Sequence, residues 1–143
     1  MRIADVLRSK GSDVATVSPE TTVTELLAKL AWHNIGAMVV IGPDGLSGVV
    51  SERDVVRKLH ERGPGLLAQP VSEIMTNVLV TCAPGDSVDV LSGLMTENRV
   101  RHVPVIDGGA LVGIVSIGDV VKTRMEELKA EQEQLQTYIT QGR

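Results

Sequence analysis

Residues 14 to 58 of this chain align without a gap on residues 79 to 123, at a constant offset of 65 that places Pro19 on Pro84. Val23 falls on Val88, Leu26 on Leu91, Val40-Ile41 on Val105-Ile106 and Leu46 on Leu111. The densest block is Gly48-Val-Val-Ser51-Glu-Arg-Asp54-Val-Val against Gly113-Ile-Val-Ser116-Ile-Gly-Asp119-Val-Val. Such a period constrains the fold before any single motif is read, because each copy must be one supersecondary unit that needs a neighbour to complete its core. Each copy has roughly 60 residues, a size at which an isolated core is marginal, so the two are expected to pack together about a pseudo-twofold axis.

Both copies read as β-α-β-β-α. A short strand over 14–17, or 79–82, ends at Pro19 or Pro84, where proline and its predecessor resist helix. Thr22-Val-Thr-Glu25 opens a helix as a capping box, with Leu26, Leu27 and Leu30 as its apolar stripe, and Asp86 or Ser87 caps the second copy. Ala37 to Ile41 is a wholly apolar strand turned by Gly42-Pro-Asp-Gly45 into the strand Ser47 to Val50; the second copy turns at Asp107-Gly-Gly109. Second helices begin at Ser51 and Ser116. β-branched runs such as Val103 to Ile106 predict strands covered on both faces, hence an α/β fold. The sequential division is residues 1–65 for the first repeat with a short helix over Ile3 to Leu7, 66–124 for the second, and 125–143 for a helical tail. In that tail Met125, Leu128, Leu135 and Ile139 form a short heptad-like seam suited either to lying on its own module or to a homodimer.

Composition narrows the function classes. A net charge of −4 with one Trp and one Tyr gives no basic, ring-bearing face for nucleic acid. No apolar run approaches the ~20 residues of a membrane span, and Met1 is followed by Arg2 and Asp5 rather than by a leader's apolar core, so the cytoplasm is expected. The single cysteine, Cys82, suits a small buried filler, and Trp32 suits core or interface packing. The three histidines have no ligand-spaced neighbours, so no metal is expected. No nucleophile-base pair or phosphate-binding loop is present in the sequence, and no catalysis is expected.

The repeat and its doubled Gly-x-x-Ser-x-x-Asp resemble the cystathionine-β-synthase-type (CBS) domain pair, or Bateman module. The resemblance covers about 110 residues, from Val14 to Thr123. It implies a regulatory module that takes AMP, ADP, ATP, NAD or another adenosyl ligand in the cleft between the repeats, with no required cofactor and a protein effector of unknown identity. It also implies that Asp54 and Asp119 bind ribose, with Ser51 and Ser116 beside them. Physically, a serine at a strand-to-helix junction, free first-turn amides and a carboxylate one turn in suit a ribose with a nearby phosphate. The same Ser-x-x-Asp is also an ordinary helix cap with a first-turn acid, and the two roles are compatible. Gly48 and Gly113 permit close backbone approach.

Val100-Arg101-His102-Val-Pro104 matches the family's basic pair before a strand, so Arg101 and His102 are expected at phosphate, joined by Arg53. The equivalent Ile35-Gly-Ala lacks both charges, and the two sites are expected to be unequal. Adenine is expected against Ser12, Val14, Thr76, Val78, Ile35, Gly36, Ala37 and Val100. The alternative reading is a constitutive dimerisation scaffold with vestigial sites.

Overall fold

The computed structural model of the protein describes residues 1–11, 14–78 and 80–141. Along the chain run α1 (Ile3–Lys10), β1 (Thr16–Val17), α2 (Val23–His33), β2 (Ala37–Gly42), β3 (Gly45–Ser51), α3 (Glu52–Arg62), β4 (Thr76–Asn77), α4 (Val88–Asn98), β5 (His102–Asp107), β6 (Ala110–Ser116) and α5 (Ile117–Gln141). Short 3-10 turns occupy Pro64–Ala68 and Val71–Glu73 between α3 and β4. Packing divides the chain into two units, Asp13–Thr81 and Met1–Ser12 together with Cys82–Arg143. That grouping differs from a sequential division at residue 65, because α1 belongs with the second repeat.

In the first unit a four-stranded sheet runs in the order β1-β2-β3-β4, with β1 parallel to β2 and the other pairs antiparallel. Thr22 caps α2 as its sequence predicts: the Glu25 amide donates to Thr22 Oγ1 at 3.2 Å and the Thr22 amide to the Glu25 carboxylate at 3.3 Å. The helix then buries Val23, Leu26 and Leu30 against Met38, Val40 and Val50 of the sheet and ends at Asn34 in the left-handed region. Each such side chain contributes about 1.5–3 kcal/mol when buried. Trp32, by contrast, points away from this core and is 86% exposed, so it is no core residue.

The second unit repeats the hairpin in the same register. Ala37 pairs with Ser51 and His102 with Ser116, and both hairpins carry an irregularity at the same place, Val40/Ile41 and Val105/Ile106. The turn Gly108-Gly109 has positive φ at both residues, 58° and 84°, which a two-residue hairpin needs and which glycine supplies without a Cβ clash. The counterpart of β1 is reduced to one parallel bridge, Cys82 to Val105. Cys82 is buried there; burial first, and then the negative charge of Asp86, push its thiol up to about 11, so it acts as an apolar filler. α5 continues as a single helix of 25 residues, on which Met125, Leu128, Leu135 and Ile139 are exposed.

The leader segments are exchanged between the repeats. Arg2 bridges Ser87 just as Pro70 bridges Thr22, so the segment preceding each repeat completes the other repeat's unit. Ile3 donates its amide to the Asp86 carbonyl and Val88 to that of Met1, matched by Val71 to Thr21 and Val23 to Gln69. Ile3, Val6 and Leu7 are buried in the second unit, as Val71 and Ile74 are in the first. Gly48 and Gly113 serve this packing. A Cβ on Gly113 would lie 2.5 Å from Leu7 Cδ2, and one on Gly48 would lie 2.7 Å from the Thr76 carbonyl. The close backbone approach that these glycines permit is therefore to a leader segment.

Candidate functional site

The strand-to-helix corners β3-α3 and β6-α5 form because Ser51 and Ser116 end their strands in extended conformation and then cap the helix that follows. Asp54 donates its amide to Ser51 Oγ at 3.3 Å, and its Oδ2 accepts from the Ser51 amide at 2.8 Å and hydroxyl at 3.0 Å. Asp119 repeats the arrangement: its amide donates to Ser116 Oγ at 3.1 Å and its Oδ2 accepts from the Ser116 amide at 2.8 Å. The cap reading of Ser-x-x-Asp is thus realised at both corners. Every bond that these carboxylates accept, the lysine contact below included, falls on Oδ2, so among the described residues Oδ1 of each half-buried carboxylate keeps its acceptor capacity.

The amides at the helix starts are less free than the sequence suggests. Glu52 donates to the Gly36 carbonyl at 2.9 Å and Ile117 to that of Arg101 at 2.8 Å, while the Asp54 and Asp119 amides are spent on the cap. These bonds have a second consequence. They hold Gly36 and Ala37 beside Ser51 to Asp54 in the first unit, and Arg101 and His102 beside Ser116 to Asp119 in the second.

Arg53 and Arg101 are exposed and make no side-chain ion pair or hydrogen bond among the described residues; His102 is half-buried. Ile35 is 39% exposed and Val100 half-buried, each just before its strand. Thr76 pairs with Val49 at the edge of the first sheet, and Val78 and Val14 are half-buried. Ser12 lies outside the described residues. Among the described residues no cluster of three or more His, Cys, Asp and Glu side chains offers a metal site.

One participant was not legible in the sequence. Lys10, at the end of α1, donates to Asp119 Oδ2 at 2.6 Å and to the Ile114 carbonyl at 2.8 Å. Burial alone would raise the Asp119 carboxyl, but the bond from Lys10 and those from Ser116 outweigh it and hold the group below the usual carboxylate range. Among the described residues Asp54 has no such cation; the leader that packs on its unit, from Pro70 to Val78, contains no lysine or arginine. Beside Gly36, the counterpart of Arg101, the neighbouring side chain is acidic: a Cβ on Gly36 would lie 3.3 Å from Glu52 Oε1.

Comparison with known proteins bears on this arrangement. The family model described as the CBS domain matches residues 3–61 and 71–126. A mitochondrial CBS domain-containing protein of Arabidopsis thaliana is 38% identical over 98% of this chain and 72% of its own length. The crystal structure of a CBS-domain-containing protein from Agrobacterium tumefaciens superimposes with a TM-score of 0.81 at 44% identity, covering 87% of this chain and 99% of that one. A CBS domain protein from Pyrobaculum aerophilum complexed with AMP gives a TM-score of 0.73 at 29% identity, over 83% and 89% of the two chains.

Proposed function

The chain belongs to the CBS-domain family, and from that premise we propose that it is a regulatory, non-catalytic module that binds an adenine nucleotide at its Ser-Asp corners. The observation that carries the reading is the pair of Ser-Asp corners, each holding a half-buried carboxylate with one oxygen unbonded among the described residues. A ribose diol needs such an acceptor. In this reading Asp54 and Asp119 accept the ribose hydroxyls, with Ser51 and Ser116 alongside. Arg53, Arg101 and His102 meet phosphate, and backbone and aliphatic groups of Val14, Thr76, Val78, Ile35, Gly36, Ala37 and Val100 flank adenine. The relative solved with AMP supports an adenosyl ligand, drawn from AMP, ADP, ATP and NAD.

Thermal unfolding with each of the four nucleotides tests the proposal, since a ligand at 100 times its dissociation constant adds about 2.7 kcal/mol to stability. A rise in unfolding temperature with at least one is expected; no rise with any of them rejects the reading.

Binding would bias the module's state for a partner protein that reads it. The apolar stripe of α5, with Met125 66% and Leu135 60% exposed, favours a homodimer built on the tail and keeps a constitutive dimerisation scaffold as the second reading. Sedimentation of a chain ending at Lys122 tests that contact: a monomer supports the tail as the dimer contact, and a persisting dimer opposes it and the scaffold reading with it. We place the protein in the cytoplasm, a reducing compartment suited to the unpaired Cys82 thiol, and cell fractionation tests that placement against the mitochondrial location named for the Arabidopsis relative.

A further inference from the structure

We propose that Lys10 is a specificity-determining residue, making the Asp119 corner select adenosyl ligands with an anionic 5′ group while the Asp54 corner, lined by Glu52, does not. The proposal rests on the reading of Asp119 and Asp54 as ribose acceptors. An ammonium has three N–H donors. Two of Lys10's are spent on Asp119 Oδ2 and the Ile114 carbonyl, which pins the charge beside a carboxylate whose Oδ1 is uncommitted and leaves one donor for a ligand. A ribose hydroxyl accepted by Oδ1 leaves that ion pair intact.

The charges then sort the two corners. Lys10 is paired with Asp119, and the backbone of Arg101 is held beside the same corner through its carbonyl's bond to Ile117, so among the described residues two cationic residues flank one carboxylate. Arg53 and Glu52 are the charged neighbours of Asp54 among the described residues, giving two carboxylates against one cation, with the exposed Glu52 reaching Gly36, the counterpart of Arg101. The Lys10 and Asp119 side chains are 34% and 22% exposed, so their field is screened less than that of a free surface pair. A phosphate gains from such a fixed cation and a neutral ligand does not.

Calorimetric titration with AMP and with adenosine, on single-corner variants, tests the inference. With Asp54→Asn isolating the Asp119 corner, the preference for AMP over adenosine should exceed that of Asp119→Asn by roughly tenfold. Adding Lys10→Met should abolish the difference, and Lys10→Arg should keep it. Equal preferences in the two single-corner variants overturn the proposal, as does a Lys10→Met that weakens or strengthens both ligands alike, or a Lys10→Arg that behaves as the Met variant. If the unmodified protein binds neither ligand, the underlying nucleotide reading itself fails.

Discussion

At Asp119 one oxygen closes the cap of α5 and receives Lys10, while the other stays open, so the residue serves the fold and a prospective ligand with different atoms. Its carboxyl is held low in the folded protein, whereas unfolded aspartate titrates near pH ~3.9. The linked stability is therefore complete above that value and is lost as pH falls through the lower, folded pKa. Replacing Lys10 with Met removes part of this. The pair is partly exposed, so the loss at neutral pH is expected to be about 1 kcal/mol. Urea midpoints of the two proteins should differ at pH 7 and converge as pH falls below ~3.9 and through the lower, folded pKa; a gap that persists unchanged down to acid unfolding would show that the contribution of Lys10 is not electrostatic.

Elements inside the repeat were legible because their signals are local. Thr22 and Glu25, Ser51 and Asp54, and Gly108-Gly109 each specify a cap or turn within four residues, and each forms where expected. The leader exchange was not, since Ile3, Val6 and Leu7 correspond to Val71, Ile74 and Met75 at an offset of 68 instead of 65, and only apolar character is shared over that short stretch. That offset is the one signal by which the exchange could have been found. Lys10 left no signal at all, because its partner stands 109 residues away. What approaches the repeated glycines was not legible for a related reason: at Gly113 it is Leu7, from the far end of the chain. The exchange makes a prediction at this scale. A chain beginning at Gly11 loses three buried side chains, each contributing about 1.5–3 kcal/mol, and should lose amide exchange protection in the β5-β6 hairpin while β2-β3 keeps it. Equal loss in both hairpins, or loss confined to β2-β3, would contradict the assignment of α1 to the second unit.

For the whole molecule, two copies of one β-α-β-β-α plan present the same serine-carboxylate corner twice, with different charge around each. The fold needs only the cap at these corners. An asparagine keeps an oxygen for that cap but loses the ionised acceptor that a ribose diol requires. The most direct measurement is therefore calorimetric titration of AMP into the unmodified protein and into one carrying both Asp54→Asn and Asp119→Asn. Binding by the former, weakened by roughly a hundredfold in the latter, is the result predicted from two lost charge-assisted acceptors. AMP binding of equal strength to both proteins would contradict the account.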